Sequence, residues 1–246
     1  MNKTYLLLGW LPLLGMAQNN QGKIVFEEKI EIKQDLKLEG VENADQIRAM
    51  MPKSINSKKM LLFSSSASLY KNIDAGDMVN NMEDNGGAVQ VKMVIARPDE
   101  QYYRDFKNNT VIEKHDLFGK SFLVADEKPA PWKITNEQKT IAGYPCVKAL
   151  LKDSAETTEA WFTTEIPVSS GPGPFANLPG MVLMVNKDNG RMIIEAKDVK
   201  LGEDPGKMEI PTKGKKVSKK EYQKIMEEKN KEREEMGGNQ VIIRHN

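Results

Sequence analysis

Residues Gly171–Val185, GPGPFANLPGMVLMV, restrict this chain more than any other stretch. Pro179 fixes its own φ and pushes Leu178 toward an extended conformation. Gly180 can then take the positive φ that closes a tight Pro-Gly turn. The dense apolar run Met181–Val185 that follows has to be buried, as a strand or a short helix. The segment is therefore a corner that anchors a core.

The N-terminus reads as a secretory leader. Lys3 supplies a short basic region and Tyr5–Leu14 an apolar one, interrupted by Pro12 and too short to span a bilayer. Gly15-Met16-Ala17 offers the small residues of a cleavage site before Gln18. Cys146 is the single cysteine, so no intrachain disulfide can form and stability has to come from packing. Net charge is +1, which gives no steering toward nucleic acid. The charge is unevenly spread: Lys207–Asn246 holds 11 Lys/Arg against 7 Asp/Glu. The basic stretch Lys213–Lys224 reads as a solvated linker and helix start.

Alternation dominates the middle of the chain. In Lys23–Lys33, Ile24, Phe26, Ile30 and Ile32 share one face, and Glu28 interrupts it. Lys58–Phe63 and Ala67–Tyr70 read as a strand pair, and Ala88–Ala96 as a further strand. Gln101–Phe106, Thr110–Lys114 and Ser121–Ala125 continue the series, separated by turn residues. Trp132–Lys139, Ala142–Lys152 and Thr157–Thr164 follow, and Asp188-Asn189-Gly190 is a hairpin signal leading into Arg191–Lys200. Asn43–Met51 reads as a short helix, and Ile73–Gly87 as a loop with a helical turn at Asp77–Met82. Ser218 and Glu221 form a capping box ahead of a charged helix, Lys219–Met236, with a narrow stripe of Tyr222, Ile225 and Met226. The expected fold is mainly β: a single antiparallel curved sheet or partly closed β-barrel with a C-terminal charged helix. Expected boundaries are a leader at 1–17, a β-domain at 18–206, and a basic linker, helix and frayed tail at 207–246.

Two blocks together resemble the GLPGLI family of exported Bacteroidetes proteins. The first runs from Trp132 to Pro167 and contains Ile141-Ala142-Gly143-Tyr144-Pro145-Cys146 and Ala160-Trp161-Phe162-Thr163. The second is Gly171-Pro172 followed by Asn177-Leu178-Pro179-Gly180-Met181-Val182. Asn177 stands where the family has its first Gly and tolerates positive φ; Met181 and Val182 stay apolar. The resemblance implies an exported protein and no particular activity.

No catalytic residue stands out. His115 and His245 are the two histidines; His115 reads as a surface turn residue and His245 as part of the tail. Cys146 reads as a buried inert thiol. No metal-ligand spacing is present, no cofactor is expected, and the 14 methionines read as core filler. Glu28 has two readings. Either its carboxylate points to the apolar side and lines a wet cavity, or a bulge turns it out. Trp161 and Phe162 fall on opposite strand faces, one in the core and the other under the Gly171–Phe175 loop or on the outer face. Asp153-Ser154-Ala155 matches a short O-glycosylation pattern at Ser154 and equally an ordinary turn.

The expected function is a non-catalytic envelope protein that binds an apolar or peptidic ligand through Glu28, Trp161, Phe162 and Phe175. Two alternatives stand beside it: a structural protein that binds envelope partners through the charged helix, and a hydrolase built on carboxylates.

Overall fold

The computed structural model describes residues 20–32, 45, 49, 51–73, 78–83, 89–95, 99–117, 119–125, 130–151, 157–235 and 242–245. The leader and the turn carrying Ser154 lie outside them, and so does most of the expected helix at 43–51, of which Asp45 and Ala49 are helical. The described residues form fifteen strands in chain order. They are β1 (Gly22–Glu31), β2 (Ser54–Phe63), β3 (Ala67–Asn72), β4 (Met78–Glu83), β5 (Val89–Ile95), β6 (Gln101–Asp105), β7 (Thr110–Leu117) and β8 (Lys120–Val124), then β9 (Trp132–Ile141), β10 (Tyr144–Leu151), β11 (Thr158–Thr163), β12 (Met181–Lys187), β13 (Met192–Leu201), β14 (Lys215–Val217) and β15 (Ile242–His245). Helix α1 spans Lys219–Glu235.

Twelve strands form one sheet in the order β14-β8-β7-β6-β3-β2-β1-β13-β12-β11-β10-β9, and β15-β5-β4 form a second. The large sheet is open, with β14 and β9 at its edges, so the barrel alternative does not hold. It is antiparallel except where β14 runs parallel to β8. That pairing joins Lys215–Val217, in the expected linker, to the sheet. His245, placed by sequence in a frayed tail, pairs with Val89 in the second sheet. A helical turn is expected at 77–82, but residues 78–83 form β4 instead. Its pairing with β5 supplies backbone hydrogen bonds that outweigh the helical tendency of so short a segment.

Local chemistry explains the hairpins. Ala142 and Gly143 adopt φ of 49° and 86° and join β9 to β10 in a two-residue turn. Asp188, Asn189 and Gly190 all have positive φ and join β12 to β13, as their composition predicts.

The Leu178-Pro179-Gly180 corner is as tight as its sequence suggests. The Gly180 amide donates to the Leu178 carbonyl at 2.7 Å, closing a three-residue turn around Pro179. Leu178 is 2 % exposed and Met181, Val182 and Leu183 are fully buried. Asn177 has φ 68°. A Cβ on Gly180 would lie 2.1 Å from the Thr163 carbonyl oxygen, so no other residue fits without moving backbone. Before the corner, residues 164–177 cross the inner face of the sheet. They are held there by a 2.8 Å bond between the Ser68 and Ser170 hydroxyls and by Arg104, whose Nη2 donates to the Gly173 carbonyl at 3.0 Å. Trp132 Nε1 donates to the Ala176 carbonyl at 2.8 Å. Beneath this arch lies the main core, which includes Ile24, Phe26, Leu61, Phe63, Phe162, Leu183 and Ile194.

Candidate functional site

The inner face has a second, polar half. Strand residues two apart share a face, and the register carries that face from strand to strand. Glu28 on β1 lies opposite Ser57 on β2, and Lys59, two residues on, lies opposite Phe26 and Asn72. Tyr70 on β3 lies opposite Tyr102 on β6, which lies opposite Glu113 on β7. His115 lies opposite Phe122 on β8. Glu28, Lys59, Tyr70, Tyr102, Glu113 and His115 therefore line one groove, joined by Glu100 just ahead of β6.

Rings tie the groove together. Phe26 meets Tyr70 edge-on at 5.9 Å, Tyr70 meets Tyr102 at 6.4 Å, and Tyr102 meets His115 edge-on at 5.5 Å. His115 then stacks on Tyr222 of α1 at 4.8 Å, and Tyr222 packs on Phe122 at 5.8 Å. With Ile225, Tyr222 docks the helix onto Phe122, Val124 and Val217. The capping box is formed: the Ser218 amide donates to the Glu221 carboxylate at 2.8 Å, and the Glu221 amide donates to Ser218 Oγ at 3.2 Å.

Electrostatics fixes the protonation states. His115 Nε2 is 2.9 Å from Glu113 Oε2, and its Nδ1 is 3.8 Å from Glu100 Oε1. Burial works against the imidazolium, but these two carboxylates outweigh it and raise the His115 pKa to about 9. Lys59 Nζ lies 3.8 Å from Glu100 Oε2. Burial acts to raise the Glu100 pKa, but His115 and Lys59 together pull it below the ordinary carboxylate value. Glu28 goes the other way: burial raises its pKa, and Lys59 offsets this only in part. The Tyr70 phenol is pushed well above its usual value by burial and by the nearby Glu28 and Glu100. Its hydroxyl is buried and has no hydrogen-bond partner among the described residues.

The structure answers the two readings of Glu28. A register shift between Val25 and Phe26 does occur, but against β13; the pairing with β2 runs without interruption, and Glu28 stays on the inner face. Phe162 is 2 % exposed and sits in the core. Trp161 faces the opposite side, where Lys139 Nζ caps its ring at 4.1 Å from the centroid. Phe175 is partly buried against the core. Of the four residues expected to bind ligand, only Glu28 lies in the groove. Cys146 is fully buried, and burial raises its thiol pKa to about 11.

His115 is not a surface turn residue: it is 7 % exposed on β7. Sequence reasoning passed over it together with Lys59, Tyr70, Glu100, Tyr102, Glu113 and Tyr222. The available signal was the Glu113–His115 spacing, which puts both on one strand face. Among the described residues, no group of three or more His, Cys, Asp or Glu side chains could hold a metal ion. A separate depression of about 560 Å³ lies near the β14 edge, lined by Ile112, Leu123, Ala125, Ile210, Pro211 and Val217 among others. Among the described residues no helix is long and apolar enough to cross a membrane.

Taken together, these features define an open, mainly antiparallel β-sheet domain with a polar groove on one face and a C-terminal helix docked at its end. The model of the family described as N-glycanase peptide, N-terminal domain, matches residues 87–226, and the chain belongs to that family. Solved structures of PNGF-II in two crystal forms share the fold. The C2 form is 19% identical with a TM-score of 0.53, and the match covers 84% of this chain and 32% of that one. The P21 form is 18% identical with a TM-score of 0.51, covering 84% and 33%. The chain thus spans about a third of the length of those structures. No curated protein matches it.

These findings correct the GLPGLI resemblance. The Leu-Pro-Gly corner is a local solution to a tight turn beside the Thr163 carbonyl, and such a solution does not identify a family. The function attached to that resemblance, a non-catalytic envelope protein with an apolar or peptidic ligand, falls with it.

Proposed function

We propose that this chain takes part in the processing of N-linked glycans, its sheet serving as the domain that engages the glycan-bearing polypeptide. The family match over residues 87–226 carries this reading. That span supplies Glu100, Tyr102, Glu113, His115 and Tyr222, about half of the groove. The chemistry of the groove agrees with binding. His115 has a carboxylate at each ring nitrogen, so at neutral pH it is a fixed cation and offers no free nitrogen for proton transfer. Its part is to hold Glu100 and Glu113 in place. The leader read at Lys3–Ala17 would put this work outside the cytoplasm.

Biolayer interferometry against an immobilised glycoprotein tests the reading. The chain is expected to bind the glycosylated form at least tenfold more tightly than the same protein stripped of its N-glycans. Equal binding to both forms overturns it.

A further inference from the structure

Tyr70 is 4 % exposed, yet its hydroxyl has no hydrogen-bond partner among the described residues. Buried hydroxyls in folded proteins are nearly always paired. This one lies close enough to Glu28 and Glu100 for both to disturb its ionisation, and it bonds to neither. A neighbouring cation, Lys59, is itself buried and approaches Glu100 only at 3.8 Å, longer than a hydrogen bond. Glu28, Lys59, Tyr70 and Glu100 thus converge from β1, β2, β3 and the start of β6; Glu28 bonds to Ser57 and Glu100 pairs with Lys59 and His115, which leaves Tyr70 Oη as the unmatched group among the described residues. The Glu100 side chain, 38% exposed, leaves the group open to solvent on one side.

The chemistry of the group narrows what can fill it. A metal ion would meet the Lys59 ammonium. An anion would meet Glu100 and Glu113. An apolar group would leave Tyr70 Oη unpaired and would strip water from Lys59 and Glu100. Two cations, Lys59 and His115, face the carboxyls of Glu28, Glu100 and Glu113, so the group carries no strong excess of either sign. A neutral ligand carrying adjacent hydroxyls avoids all three conflicts, since each hydroxyl both donates and accepts. One can donate to Glu100 while accepting from Tyr70 Oη, and its neighbour can accept from Lys59 and bond to the Glu28 carboxyl.

We infer that Glu28, Lys59, Tyr70 and Glu100 form a subsite for one sugar ring of a glycan, with Tyr70 Oη as its innermost hydrogen-bonding group. The inference rests on the glycan reading above and assigns recognition to the sugar rather than to the peptide. Ordered water is the competing occupant, because buried waters commonly satisfy such groups.

Isothermal titration of the full chain separates the cases, with three probes: a free oligomannose N-glycan, a peptide carrying that glycan, and the bare peptide. The wild type is expected to bind the free glycan and the glycopeptide. Tyr70→Phe and Glu100→Gln are each expected to weaken both at least fivefold, with Tyr70→Phe melting no lower than the wild type. Should Glu100→Gln fail to fold, Glu28→Gln takes its place. If the variants bind the glycan as tightly as the wild type, Tyr70 holds only water and the subsite is wrong, while the glycan reading stands. If the wild type binds glycopeptide and bare peptide equally and ignores the free glycan, the subsite and the proposed function both fall.

Discussion

The inner face of the large sheet is built in two ways. Around β10 to β13 it is closed: Ala149, Ala160, Phe162, Leu183 and Ile194 are at most 3 % exposed. From β1 through β7 the same face carries Glu28, Lys59, Tyr70, Glu100, Glu113 and His115. The arch at 164–177 marks the border, with Gly173 against the Tyr102 ring. A sheet face stabilised only by burial would continue apolar across all its strands. The polar half instead keeps charges and an unpaired hydroxyl out of bulk water, which costs stability. Groups retained at such a cost mark a working surface.

The largest effect expected from breaking this contrast is in the closed half. Phe162→Ala should destabilise by about 3–5 kcal/mol, because the ring is buried and the cavity collapses only in part. Urea denaturation measures it. Loss of ligand binding with stability unchanged would return Phe162 to the site it was expected to occupy.

The next effect belongs to the polar half. The His115 pKa is raised from 6.5 to about 9, so the stabilisation from its charge is complete below about pH 6.5 and is lost as pH rises through 9. The shift corresponds to about 3 kcal/mol. Stability measured by denaturation should fall between pH 7 and pH 10, and His115→Gln should flatten that slope. Tyr222 stays neutral over the range, since burial and the nearby Glu100 and Glu113 raise its pKa to about 12. Loss of the imidazolium should therefore loosen α1 by removing the charged partner of the stack.

The smallest expected effect is at the helix start. Ser218→Ala removes the hydroxyl that accepts from the Glu221 amide and should cost about 1 kcal/mol. Hydrogen exchange should quicken in the first turns of α1. An unchanged exchange pattern would mean that Tyr222 and Ile225 alone hold the helix.

The two halves also differed in how far the sequence revealed them. Alternation in β1, the Asp188-Asn189-Gly190 hairpin, the Leu178-Pro179-Gly180 corner and the Ser218–Glu221 box are local signals, each readable over a few residues. The groove is not local. Glu28, Lys59, Tyr70, Glu100 and His115 come from separate strands, and only the sheet order, in which β3 skips the β4–β5 hairpin to pair with β6, brings them together. Glu28 was visible as a break in an apolar face, but its partners were not. His115 looked like a turn residue because Asp116 and the glycine at 119 suggested an early end to β7, whereas that strand runs to Leu117. The GLPGLI resemblance, carried by the Trp132–Pro167 block and the Leu178-Pro179-Gly180 corner together, is overturned by the family match over residues 87–226.

The most direct test of the contrast is the stability at pH 7 of the double variant Glu28→Gln, Tyr70→Phe, by chemical denaturation. Both changes keep side-chain shape; one removes a carboxyl disfavoured by burial and the other a buried hydroxyl without a partner among the described residues. If the polar half is held at a cost, the variant should be more stable than the wild type by about 1–2 kcal/mol. A variant less stable by a similar amount would show that these groups hold the fold together, and the groove would lose its standing as a binding surface.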